Sequence, residues 1–132
     1  MSVVIATLDQ VPGSQTIEGP RLTFKVGQIT AREIIRARVQ AEVGLYNGVD
    51  APRSYNALVA PAPDEQQLNG SHRERRRPLD AEAQISVAIE AVVKRRVIIL
   101  FNGAQVDDLD APLLVTPVSE ARFLKLVPLV GG

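Results

Sequence analysis

The residues best suited to chemistry stand at the end of the sequence, where Gly131 and Gly132 follow Pro128, Leu129 and Val130. Glycine carries no Cβ, so a Gly-Gly segment can lie extended in a slot too narrow for any other residue. It also leaves a terminal carboxylate unhindered. Two glycines at a given terminus arise by chance in roughly one chain in 200. The weight therefore falls on the residues before them.

Two further groups invite the same question. His72, the single histidine, lies in a polar stretch with no Ser or carboxylate at a diagnostic spacing, and reads as a surface histidine. Asp107, Asp108 and Asp110 could offer carboxylate oxygens to a hard cation. Their spacing matches no EF-hand loop, and capping a turn is the simpler role. No GxGxxG or Walker sequence is present to cradle a phosphate. No catalytic constellation emerges, and the expectation is a chain that is not an enzyme, with neither a metal nor a cofactor of its own.

Composition narrows the class. The 132 residues suit one domain, 1–132, large enough to bury a core without staples. Lys plus Arg and Asp plus Glu each total 15, so no global charge favours nucleic acid or anionic lipid. The absence of Cys removes disulfides, zinc thiolates and thiol catalysis. Trp is absent and aromatics are scarce, which argues against a stacking platform for single strands. Val3 to Leu8 is too short for a signal peptide and lacks a basic start. No apolar run approaches the roughly 18 residues of a membrane span. A soluble, cytoplasmic protein with neither nucleic acid nor membrane as partner is expected.

The elements that must position the tail read in order. Ser2 to Gln10 is β-branched and predicts a first strand. Val11 to Ser14 and Glu18 to Pro20 bracket a loop. Leu22, Phe24 and Val26 alternate with Arg21, Thr23 and Lys25, a half-buried strand antiparallel to the first. Thr30 and Glu33 form a capping box opening a helix, with Ile34, Ile35, Val39, Val43 and Tyr46 inward and Arg32, Arg36 and Arg38 on a solvated face. Asn47-Gly48 ends it, Gly48 suiting a left-handed position.

Residues 50–78 carry four prolines and a basic run around His72, and predict a surface insertion with a short strand at Tyr55 to Val59. Arg73, Arg75, Arg76 and Arg77 read as a solvated loop, since no aromatics are interleaved for nucleic-acid contact. Asp80 caps a second helix reaching about Arg96, with Ile85, Ala88, Ile89, Val92 and Val93 buried and Lys94, Arg95 and Arg96 suiting its C-terminal dipole. The apolar run Val97 to Phe101 predicts a central strand. Asn102-Gly103 predicts a type I′ hairpin into a short strand at Ala104 to Val106. A loop from Asp107 to Pro117 then leads to the last strand. Pro128 cannot donate to a ladder, so pairing should stop there and 129–132 should project as a tail.

This order resembles the ubiquitin-like β-grasp. Val97 to Val106 with Asp107-Asp108 resembles ubiquitin's LIFAGKQLEDG, with Phe101, Gly103, Gln105 and one of the two aspartates in matching places. The ending FLKLVPLVGG is similar to the prokaryotic sulfur carriers of molybdopterin and thiamin synthesis. It is also similar to bacterial ubiquitin-like proteins encoded beside activating, conjugating and deubiquitinase-like enzymes. The match covers about residues 2–47 by element order and 97–132 by motif. It departs at Ala104, where ubiquitin has Lys, and at Pro128, Leu129 and Val130, where ubiquitin has arginines before its glycines; 50–78 and 80–96 are extra.

The resemblance implies an α+β ubiquitin-like β-grasp, a mixed sheet on a capped helix, extended by the insertion and the second helix. It implies a bacterial protein modifier whose Gly132 is adenylated and then joined to an amine of a target protein. ATP and Mg²⁺ would be used by the partner, an adenylating activating enzyme that Pro128, Leu129 and Val130 would contact. There is room beside it for a conjugating enzyme and a deubiquitinase-like protease. Two alternatives stay open: a sulfur carrier ending in a thiocarboxylate, and a non-covalent β-grasp interaction module.

Overall fold

The computed structural model describes residues 2–25, 27–48, 57–60 and 78–130. Among these residues it is a mixed α+β structure with two helices and a mixed sheet. The main sheet holds β1 (Ser2–Gln10), β2 (Ile17–Glu18), β3 (Leu22–Lys25), β5 (Val97–Phe101), β6 (Ala104–Gln105) and β8 (Glu120–Lys125). β4 (Gln28–Ile29) and β7 (Leu113–Leu114) pair separately. The helices are α1 (Ala31–Asn47) and α2 (Ala81–Val93).

The order across the sheet is β2-β1-β8-β5-β6, with β3 also on β1. The middle position thus belongs to β8, not to the apolar run of β5. β8 runs parallel to β1 from Ala6↔Glu120 to Gln10↔Leu124 and antiparallel to β5 from Val97↔Lys125 to Phe101↔Ala121. Parallel neighbours need a crossover, and nearly the whole chain, including both helices, lies between these two strands.

Local signals explain most boundaries. Thr30 Oγ1 accepts from the Glu33 amide and caps α1; its hydroxyl also meets the Glu33 carboxylate at 3.3 Å. Asp80 caps α2 through the Glu82 amide at 3.1 Å. Asn102 and Gly103 have φ of 51° and 85°, as the type I′ hairpin requires. The Asn102 carboxamide oxygen then accepts from the Glu120 amide at 2.9 Å and ties the turn to the start of β8.

Period-two burial selects the core face. Val3 and Ile5 from β1, Val97 and Ile99 from β5, and Ala121 and Phe123 from β8 point inward. They meet Ile34, Ile35, Val39 and Val43 of α1 and Ile85 and Ala88 of α2. Each large apolar side chain buried here contributes about 1.5–3 kcal/mol. β5 is not buried on both sides, since Ile98 and Leu100 remain partly exposed on the outer face.

Several expectations are corrected. Gly48 is extended, at φ −74° and ψ 161°, because its amide turns back to the Leu45 carbonyl without a left-handed residue. α2 stops at Val93, so Lys94 is its C-cap and Arg95 and Arg96 lie beyond its last turn. Its buried stripe is rotated, with Gln84 and Ala91 inside and Val93 66% exposed. The loop after β1 contains β2, which folds back on the end of β1, and the loop after β6 contains β7, whose partner β4 is distant in sequence. Among the described residues no helix is long and apolar enough to cross a membrane.

Candidate functional site

The segment after β8 does not project from the body. The Leu126 amide donates to the Arg96 carbonyl at 2.9 Å, just past the end of β8. Leu126, Val127 and Pro128 are exposed, and Leu129 then turns inward to 7% exposure within the core. Its carbonyl accepts from the Ala60 amide at 2.8 Å, and Val130 forms a parallel bridge with Ala60. The β8 ladder ends at Lys125, three residues before Pro128, which has no amide hydrogen to donate. Pairing resumes beyond it with a different neighbour, which corrects the expected projecting tail at Leu129 and Val130. Gly131 and Gly132 lie outside the described residues.

That neighbour is the described part of the stretch expected to be a surface insertion. Ala57, Leu58 and Val59 are 8%, 2% and 3% exposed, so residues 57–59 belong to the core. Among the described residues of this stretch, Ala60 alone takes part in β pairing, through its bridge to Val130. Tyr55 and Asn56 of the expected strand, together with His72, Arg73, Arg75, Arg76 and Arg77, lie outside the described residues.

A buried set of charges holds this segment. Arg38 is wholly buried in α1 and donates to both oxygens of Asp9, at 2.5 and 2.6 Å. It also reaches Glu42 one turn on at 3.3 Å, and its guanidinium carbon sits 4.6 Å from the Phe123 ring centre. Lys125, at the end of β8, lies 3.7 Å from Asp9. Glu42 accepts from the Leu58 amide at 3.0 Å, and Lys125 donates to the Ala57 carbonyl at 3.2 Å.

Burial would lower the Arg38 pKa, but hydrogen bonds to Asp9 and the Glu42 and Asp9 charges hold it above its ordinary value. Burial raises Glu42, outweighing Arg38 and the Leu58 amide. Burial lowers Lys125 against the pull of Asp9. Arg38 is therefore not on the solvated face with Arg32 and Arg36. Its spacing, four residues after Ile34 and three after Ile35, places it on the apolar stripe. Asp9 likewise continues the inward phase of Val3, Ile5 and Thr7. Those two periodicities are the signal in the sequence that points to the pair.

The acidic residues of the 107–110 loop cap and pair locally. Asp108 accepts from the Asp110 amide at 2.9 Å, Asp107 from the Gln105 side chain at 3.1 Å, and Asp110 from two nitrogens of Arg32 at 2.8 and 3.2 Å. The Arg32 bond holds the Asp110 carboxyl below its ordinary range. Among the described residues no cluster of three His, Cys, Asp or Glu could hold a metal. A groove of about 320 Å³ runs between this loop, Val92 and Val93 of α2 and Val97 and Ile98 of β5; no residue of the C-terminal segment lines it.

The central strand leads within a few residues to the two glycines, and the segment between them is held against the body by Ala60. Comparison with protein-family models, with curated proteins and with solved structures found no match to this chain.

Proposed function

We propose that this chain is a bacterial ubiquitin-like protein modifier of β-grasp fold, activated at Gly132 and joined to amines of target proteins. The observation that carries the reading is the path from β8 to the glycines. β8 is paired on both sides, with β1 and β5, so the strand preceding the tail is rigidly fixed in the sheet. Exposed Leu126, Val127 and Pro128 come next as a contact surface for an activating enzyme. The reading holds whether Gly132 is encoded last or exposed by a protease.

In the first step a Gly132 carboxylate oxygen attacks the α-phosphorus of ATP and expels pyrophosphate, forming an acyl-adenylate on the partner enzyme. An enzyme thiolate displaces AMP to give a thioester. A target amine then displaces the thiolate, leaving an amide bond to Gly132 after loss of a proton. In the sulfur-carrier alternative, hydrosulfide attacks the carbonyl of the acyl-adenylate, expels AMP and, after loss of a proton, leaves a terminal thiocarboxylate.

One observation favours a different reading. Leu129 is buried and Val130 is paired with Ala60, as suits an interaction module whose glycines are incidental. Expression of the tagged chain in its native host, beside a form lacking Gly131 and Gly132, separates the three. Covalent species carrying an isopeptide from Gly132, present only with the glycines, support the modifier. A terminal thiocarboxylate supports the carrier. Unchanged behaviour without the glycines and absence of both products support the module.

A further inference from the structure

Residues 57–60 join the buried charges to the C-terminal segment. One end is fixed by Glu42 on the Leu58 amide and Lys125 on the Ala57 carbonyl; the other holds Leu129 and Val130 through Ala60. The apolar side chains of Leu58, Val59 and Leu129 are buried together in the core. A four-residue stretch tied by polar anchors, apolar packing and a backbone bond is a built restraint on the chain beyond Pro128.

The restraint changes reach. A chain extends by about 3.3–3.6 Å per residue. With Val130 held, Gly131 and Gly132 can carry a carboxylate only about 7 Å from the bridge. Released back to the end of β8, the stretch from Leu126 to Gly132 spans about 24 Å, enough to enter an enzyme's nucleotide site. We propose that Ala57–Ala60 is a clasp on the C-terminal segment, and that Gly132 is engaged by an adenylating enzyme only after Ala60 releases Leu129 and Val130. The proposal rests on the modifier reading. It adds that the enzyme, or a partner bound before it, opens the clasp. The cost of opening lowers the apparent affinity for a tail-binding enzyme by the fraction of open molecules.

The chain lacks cysteine, so Ala60→Cys with Val130→Cys introduces the only two thiols. Facing residues of a β bridge lie within the Cα separation that a disulfide spans, about 4.4–6.8 Å. 1,3-Dichloroacetone can therefore join them, each thiolate displacing one chloride, in a link that survives reducing conditions. The bridged protein and the same protein capped with iodoacetamide are then incubated with ATP, Mg²⁺ and native-host lysate, and Gly132 adducts are counted by mass spectrometry. Bridging should reduce adducts at least about tenfold relative to capping, since it removes the open population. Equal yields would overturn the clasp as a gate.

Hydrogen exchange on the wild-type chain gives a readout that needs no enzyme. The Ala60 amide should exchange at least about tenfold more slowly than an unstructured amide, and Lys125→Met should lose part of that protection while the Phe123 amide keeps its own. An unprotected Ala60 amide overturns the clasp whatever the adducts show. A protected Ala60 with no adduct from any form sinks the modifier reading instead, and gating with it.

Discussion

Arg38 and Asp9, 29 residues apart in sequence, form a two-point ion pair at 2.5 and 2.6 Å with the arginine side chain wholly buried. Such a pair stabilises little relative to a well-packed apolar replacement, but removing one partner strands the other. Arg38→Met should therefore cost about 3–5 kcal/mol, since it leaves Asp9 and Glu42 in the core with only Lys125 nearby. Urea unfolding measures this. Adding Asp9→Leu should recover part of the loss, whereas a single-variant loss under about 1 kcal/mol would show that water or relaxation already compensates the pair.

Glu42 supplies a pH dependence with a definite sign. Burial, its largest influence, raises its pKa in the folded chain. The native state binds that proton more tightly than the unfolded chain. The group's contribution is thus fully present below the ordinary carboxylate pKa and lost as pH rises through the raised value. Arg38 on the same helix, Asp9 on β1 and Lys125 on β8 are the charged groups around it. Glu42→Gln has no proton to lose, so its stability relative to wild type should improve from about pH 4 to about pH 7. A change in the opposite direction would mean that attraction to Arg38 outweighs burial.

Gly19 reports on the same neighbourhood. A Cβ there would stand 2.5 Å from Thr7 Oγ1 and 3.5 Å from the Arg38 guanidinium. Thr7 is buried and its hydroxyl donates to the Pro20 carbonyl at 2.6 Å, so it cannot swing away freely. Gly19→Ala should cost about 1–3 kcal/mol by overpacking. In a Thr7→Ala background the same change should cost clearly less. A cycle of four thermal or urea melts with no coupling would contradict the clash.

Arg95 follows α2 with φ of 59°, a left-handed conformation that an L residue adopts at a cost. Among the described residues its side chain forms an ion pair with Asp107 at 3.8 Å, and both side chains are 69% exposed. Arg95→Gly should raise stability by about 0.5–1 kcal/mol, because relief of that strain exceeds the weak surface pair. Lower stability would assign the arginine side chain a contact of greater weight than this ion pair.

Taken alone, the sequence determined the locally encoded parts. β-Branched residues placed β1 and alternation placed β3, Thr30 with Glu33 and Asp80 set the helix starts, and Asn102-Gly103 set the hairpin. Each depends on residues a few positions apart, where side-chain period, capping and backbone φ act without a distant partner. The positions of Leu58 and Leu129 were decided by tertiary structure. Both sit in stretches whose prolines predict surface chain, yet both side chains are buried in the core; Glu42 and Lys125 anchor the backbone at Ala57 and Leu58, and Ala60 anchors Leu129. Parallel pairing of β1 with β8 was decided in the same way. It requires the whole intervening chain to cross over before the ladder forms, and no local pattern in either strand encodes which neighbour it will meet.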